Sequence, residues 1–199
     1  MSAIGVFVVA GLLGAIPFGI LVTRCLGLSD PRTGGSGNIG ATNVVRTSGW
    51  GAGLITLAGD ILKGMAAVGI AAPLIAAPTE GARSIAAVAA VLGHMFSPFT
   101  GFQGGKGVAT GLGVFALLMP GPTALAAAVF LAAVALTRYI SVGSILGAIT
   151  VPLAGTLAGY PAGPSSAAAL IAGLIVWKHS GNIGRLVRGE ENRLGTKGS

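Results

Sequence analysis

The sequence is short of charge. Only 9% of its 199 residues are Asp, Glu, Lys or Arg, against about 25% in a soluble globular domain, so it lacks the polar coat of a water-soluble fold. Acidic residues are scarcest, with 5 Asp and Glu against 12 Lys and Arg and a net charge of +7. The single cysteine, Cys25, excludes an intramolecular disulfide and a cysteine-held metal cluster. An excess of cations suits nucleic acid only when it forms a patch on a soluble surface. Here the cations sit between apolar runs and in the tail, where they mark cytoplasmic loops of a membrane protein, and no nucleic-acid partner is expected.

What the chain has in abundance is apolar residues (53%, mean hydropathy +0.86) and glycine, at 35 positions. The run Ala3–Thr23 carries no charge. As a helix it is about 31 Å long at ~1.5 Å per residue, matching the ~30 Å hydrocarbon core of a bilayer. A cleaved signal peptide needs a basic segment before the apolar stretch; none precedes it and Arg24 follows. The expectation is a retained span with the N-terminus facing away from the cytoplasm.

Further apolar runs cover Gly49–Ala77, Ser84–Phe96, Val108–Met119, Thr123–Thr137, Ile140–Gly159 and Ser165–Trp177. Lipid offers no partner to an open backbone, so such spans should be helices. Pro120-Gly121-Pro122 is a turn signal that divides Val108–Thr137 into two. With seven spans, the loop 24–46, Lys106, Arg138 and the tail share one side, leaving Glu80 and Arg83 opposite. That is the basic-inside arrangement. The expected fold is all-α: one polytopic membrane domain over residues 1–199, seven transmembrane helices, N-terminus outside and C-terminus cytoplasmic.

Three polar segments then fall on the cytoplasmic side. The first runs from Gly34 through Ser36, Gly37, Asn38, Gly40, Thr42 and Asn43 to Arg46. A glycine loop feeding a helix start can bind an anion through aligned N–H groups, with Arg46 as bidentate phosphate donor and Thr42 or Asn43 as helix cap. The plainer alternative is a capped flexible linker. The second, from Gly93 to Thr110, contains Gly104-Gly105-Lys106-Gly107 at a helix start. It departs from the Walker template, which wants glycine at Thr100 and Ser or Thr at Gly107. Phosphate binding fits it, nucleotide binding does not, and His94 reads as a hydrogen-bonded packing residue. The third begins Lys178-His179-Ser180-Gly181-Asn182. His179 and Asn182, at i and i+3, share a helix face.

Asp60 and Lys63, also three apart, lie inside the second span. Charges are costly there, and they read as a mutually satisfied pair. Ser141 and Ser144 at the start of the sixth span read as helix caps, with lining of the cytoplasmic site as the alternative.

Taken in order, GGSGNIGATNVVR, GHMFSPFTGFQGGKGVAT and KHSGNIGRLVRGEE closely resemble the three motifs of the bacterial acyl-phosphate:glycerol-3-phosphate acyltransferase family (PlsY type). The resemblance covers essentially the whole chain. It implies seven membrane helices, cytoplasmic motifs in the cell inner membrane, and synthesis of lysophosphatidic acid from acyl-phosphate and glycerol 3-phosphate without a cofactor. It also implies membrane lipid and the soluble enzyme that makes acyl-phosphate as partners. By the same resemblance Ser36, Arg46, Lys106, His179 and Asn182 are catalytic. Gly37, Asn38, Thr42, Asn43, Gly104, Gly105 and Gly107 are expected to bind substrate, together with Ser141 and Ser144 at the cytoplasmic site. A structural glutamate matches Glu190, with Glu191 the alternative, because the threonine common after Gly189 is missing. Gln103 stands where the family often has a basic residue.

The H-x4-D acyltransferase signature is absent, since Phe99 and Gly184 occupy the aspartate positions after His94 and His179. That fits a donor already activated. The rival reading, a phosphate-ester transporter, lacks the internal repeat such proteins carry; a lipid phosphatase would want a clearer nucleophile–acid pair.

Overall fold

The computed structural model describes residues 3–72 and 79–195; the end of the second apolar run (73–77), Pro78 and the tail past 195 lie outside the described residues. Among the described residues the regular structure is helical. The chain divides into two compact units, with the boundary between Leu117 and Leu118.

In the first unit, α1 (Ala3–Ala15) packs along α4 (Glu80–Met95). Small residues make that contact. A Cβ on Gly14 would overlap the backbone of Ala90, and one on Gly93 would overlap the Gly11 carbonyl. The two backbones therefore touch, as helices in lipid do where Gly and Ala face each other. The same holds between α3 (Ala41–Ala66) and α5 (Val108–Leu118), where Gly113 meets Ile61 and Gly64 meets Thr110.

The first apolar run is not one uninterrupted helix, as its composition suggested. It breaks at Ile16-Pro17 into α1 and α2 (Phe18–Cys25). Proline removes an N–H and crowds the preceding turn, leaving carbonyls that lipid cannot satisfy. Side chains from two other helical segments satisfy them: Ser97 Oγ donates to the Ala15 carbonyl at 2.6 Å and Lys63 Nζ to that of Ile16 at 2.7 Å. A second break lies at Gly49, whose φ of 87° and ψ of 171° divide α3 into a short first part and the long apolar part. The expected start of the second run falls on this kink. Val22 of α2 buries against Val44 and Ala52, on either side of it. The apolar part continues into a wider π-type turn at Ala67–Ala71.

In the second unit, α6 (Pro120–Thr137), α7 (Ile140–Leu157) and α8 (Ala162–Lys178) pack in sequence, and α9 (Ser180–Val187) follows through His179. The break between α5 and α6 exists, but not at the expected place. Met119 leaves the helical conformation (φ −143°, ψ 62°), and Pro120-Gly121-Pro122 forms the first turn of α6, where proline's missing N–H costs nothing.

Among the described residues five segments are long and apolar enough to cross a membrane: Ala3–Cys25, Ala41–Ala71, Glu80–Thr100, Pro120–Thr137 and Ile140–Leu157. Val108–Leu118 and Ala162–Lys178 are shorter apolar helices. Leu131, Leu136, Leu153 and Leu157 are largely exposed, as lipid permits and water does not.

Candidate active site

Three clusters of polar residues follow the three sequence segments. The first is organised by Asn43. Its Nδ2 donates to the carbonyls of Pro31 (2.7 Å), Asn38 (2.8 Å) and Gly34 (3.2 Å), and its Oδ1 accepts the Ser36 amide at 2.8 Å. Asn43 is therefore a buried hub for the loop and not a helix cap; neither is Thr42, because Gly40 occupies the cap position without a side-chain bond. Asn38 Oδ1 accepts the Gly40 amide at 2.8 Å. Gly35 sits at φ 59°, where a Cβ would meet Asn43 Oδ1 and the Arg46 stem. Ser36, Gly37, Thr42 and Arg46 are consequently exposed around an anchored turn. Among the described residues Arg46 makes no ion pair, whereas Arg32, Arg185 and Arg188 each face a carboxylate.

The second cluster starts at the end of α4. The amides of Gly104 and Gly105 donate to the carbonyls of Met95 (3.2 Å) and His94 (3.1 Å), so these two are used inside the protein instead of facing an anion. Gly105 lies against the His94 ring, where a Cβ would overlap Nε2. Gly107, at φ 81°, sits against Met95 and Val91. Helix α5 begins at the next residue, leaving Lys106 half-buried at its start.

Behind this loop, Asp60, Lys63 and His94 are 2%, 4% and 3% exposed. Lys63 Nζ lies 2.7 Å from Asp60 Oδ1 and 2.8 Å from His94 Nδ1, and also caps Ile16. The expected Asp60–Lys63 pair is present. The expected packing role of His94 is present too, but sequence did not reveal that all three form one network. An ammonium has N–H donors and no acceptor; Lys63 donates to the Ile16 carbonyl and to His94 Nδ1, and its contact with Asp60 is an ion pair.

The third cluster belongs to the second unit. His179 and Asn182 are both buried. His179 Nδ1 lies 2.7 Å from the Ile175 carbonyl; a carbonyl only accepts, so Nδ1 carries hydrogen and Nε2 is the basic nitrogen of the neutral ring. Asn182 Nδ2 donates to Glu191 Oε1 at 2.6 Å, and Arg185 Nε to Glu191 Oε2 at 2.7 Å. Burial raises the Glu191 pKa, but Asn182, Ser141 and Arg185 outweigh it and hold the carboxyl below its ordinary value. Among the described residues the Glu190 carboxylate pairs with exposed Arg188 alone. Of the two glutamates left open by the sequence, Glu191 is the one whose carboxylate holds Asn182 and Arg185. Ser141 and Ser144 do not cap α7, whose cap position is Tyr139; both are buried, and Ser144 Oγ donates back to Ile140. The tail then returns to the α6–α7 corner, where Arg138 binds the Leu194 carbonyl and Arg193 binds Tyr139 Oη. Sequence gave no sign of that return. Among the described residues no three His, Cys, Asp or Glu side chains gather as a metal site requires.

The family model for glycerol-3-phosphate acyltransferase matches residues 4–189. The chain belongs to this family. A glycerol-3-phosphate acyltransferase of Aromatoleum aromaticum is 44% identical over 199 residues, covering all of both chains. The crystal structure of PlsY (YgiH), an integral membrane glycerol 3-phosphate acyltransferase, in its glycerol 3-phosphate form, is similar with a TM-score of 0.91 at 39% identity. It covers 98% of this chain and 97% of that one. The lysophosphatidic acid form gives a TM-score of 0.89 at 38% identity with the same coverage. This member of the family is thus an all-helical, multi-pass integral membrane protein.

Proposed function

We propose that this protein transfers a fatty acyl group from acyl-phosphate to the 1-hydroxyl of glycerol 3-phosphate, giving lysophosphatidic acid and phosphate. The observation that carries the reading is the likeness, over 98% of the chain, to an acyltransferase structure in its glycerol 3-phosphate form. Acyl-phosphate is a mixed anhydride with a good leaving group, so the problem is electrostatic: two phosphate-bearing molecules must meet. At about 6 Å and an effective dielectric near 20, two unit charges repel by roughly 3 kcal/mol. Arg46 and Lys106 supply the opposing charge and stabilise the negative charge that grows on the carbonyl oxygen and the departing phosphate. Ser36, Gly37, Asn38, Thr42 and Asn43 shape the turn that Arg46 flanks, and Gly104, Gly105 and Gly107 set the path of Lys106.

The hydroxyl oxygen bonds to the acyl carbon, the bond from that carbon to the bridging phosphate oxygen breaks, and phosphate departs. Nε2 of His179, or a substrate phosphate, takes the hydroxyl proton, with Asn182 orienting the hydroxyl and Ser141 and Ser144 contributing to substrate binding. No acyl-enzyme forms. The motifs lie at the cytoplasmic face of the inner membrane, on seven spans with the N-terminus outside, and a soluble enzyme delivers the acyl-phosphate.

The test supplies purified protein with acyl-phosphate and radiolabelled glycerol 3-phosphate and looks for labelled lysophosphatidic acid. Full turnover by Lys106→Ala would sink the site assignment, and an acyl adduct trapped on Ser36 would sink the single-step scheme.

A further inference from the structure

We infer that His94, held by Asp60 and Lys63, is a positioning residue that sets the backbone path of the 104–107 loop and so the place of Lys106. This rests on the reading of that loop as the phosphate-binding segment.

Three observations carry it. First, the ring is fixed from behind: Lys63 Nζ lies 2.8 Å from His94 Nδ1 and 2.7 Å from Asp60 Oδ1, and Asp60 Oδ1 is 3.5 Å from His94 Nδ1. An ammonium can only donate, so Nδ1 accepts and the neutral ring carries its hydrogen on Nε2. Second, Lys63 is itself fixed, because it satisfies the Ile16 carbonyl freed at the Pro17 break and lies 5.8 Å from the centre of the Phe18 ring. Third, the front of the ring meets the loop twice. Nε2 occupies the space a Gly105 Cβ would need, and the His94 carbonyl accepts the Gly105 amide at 3.1 Å. Gly105 has no left-handed backbone to explain it, in contrast to Gly107. Its lack of a side chain is explained by the ring behind it, one residue before Lys106.

The consequence is a coupling between two positions. In the wild-type background Gly105→Ala forces the loop off the ring and raises the KM for glycerol 3-phosphate by about tenfold or more. His94→Asn keeps an acceptor near Nδ1 for Lys63 but deletes Nε2 and Cε1. In that background the Gly105 methyl should raise KM by no more than about twofold. His94→Asn alone should raise the KM for glycerol 3-phosphate several-fold while moving kcat and the thermal midpoint little, which separates positioning from folding.

These KM values, measured at saturating acyl-phosphate, decide the matter. Equal penalties for Gly105→Ala in both backgrounds, no penalty in wild type, or an unchanged KM in His94→Asn would each overturn the inference. If Gly105→Ala does not fold, the His94→Asn KM decides alone. Lys106→Ala is assayed beside them: full turnover there removes the phosphate-loop reading itself, whatever coupling His94 and Gly105 show.

Discussion

Asn182 Nδ2 sits 2.6 Å from Glu191 Oε1, and the other oxygen of the same carboxylate takes Arg185 Nε at 2.7 Å. One glutamate beyond the end of α9 thus fixes a residue in its first turn and another in its last. The Glu191 side chain is 7% exposed, against 58% for Glu190. Hydrogen bonds to charged groups contribute about 1.5–3 kcal/mol when enclosed, while exposed pairs contribute about 0–1 kcal/mol. Glu191→Ala should therefore cut turnover at least about tenfold and lower the thermal midpoint. Glu190→Ala should stay within about twofold of wild type. Steady-state assays of the two variants compare them directly; equal losses would contradict the assignment.

The same carboxylate gives a pH dependence. Asn182, Ser141 and Arg185 hold its folded pKa below the ordinary 4.5 despite the opposing effect of burial. A depressed carboxyl contributes stability above its unfolded pKa and loses it as pH falls through the folded value. The thermal midpoint should drop on acidification below about 4.5, and Glu191→Gln should remove part of that drop while lowering the midpoint at neutral pH. Melting curves of both proteins between neutral pH and acid check this.

These features were unequally legible in the sequence. The apolar runs announced helices because lipid leaves a backbone no other choice. The break at Pro17 was missed because proline in a span is tolerated only when distant groups satisfy the freed carbonyls. Here those groups are Lys63, 47 positions away, and Ser97, 82 positions away. Asn43 was misread for the opposite reason. The local rule that Asn caps helices is strong, but the four partners that use its amide come from residues 31–38. Composition gives residue types, whereas partners across the fold decide which role a type plays.

That hub is itself testable. Asn43→Asp keeps an acceptor for the Ser36 amide but loses the donors to Pro31, Gly34 and Asn38 and places a carboxylate beside their carbonyls. At about 0.5–1.5 kcal/mol for each of the four hydrogen bonds, Asn43→Ala should cost about 2–6 kcal/mol of local order, and Asn43→Asp at least as much. Both should lose about 100-fold in turnover, with faster proteolysis within residues 31–40 as the second measurement. Intact activity in Asn43→Asp would contradict the hub.

The backbone contact between α1 and α4 predicts an asymmetry between neighbouring glycines. At Gly93 a Cβ would overlap the Gly11 carbonyl, while at Gly11 the nearest atom to a new Cβ is the Ala89 carbonyl oxygen at 3.7 Å, an ordinary contact. Forcing atoms into a filled contact costs about 1–3 kcal/mol. Gly93→Ala should lower the thermal midpoint of the purified protein, and Gly11→Ala should leave it unchanged or raise it slightly, because alanine favours helix.

The buried charges give the last prediction. Removing one member of an enclosed ion pair strands the other and costs about 3–5 kcal/mol, whereas removing both with apolar replacements of similar size is often neutral. Asp60→Leu and Lys63→Met should each fold poorly. In Asp60→Leu the buried ammonium loses its counter-charge; in Lys63→Met the Asp60 carboxylate loses its counter-charge, and His94 Nδ1 and the Ile16 carbonyl each lose one donor. The double variant recovers the charge balance but not the Lys63 donors to His94 Nδ1 and to the Ile16 carbonyl, which keeps the Phe18 amide at 3.1 Å. It should regain most of the yield and thermal stability, yet remain about 1–3 kcal/mol short of wild type for the two hydrogen bonds that Lys63 made. A double variant as unstable as the two singles combined would mean that the opposite charges do not offset each other.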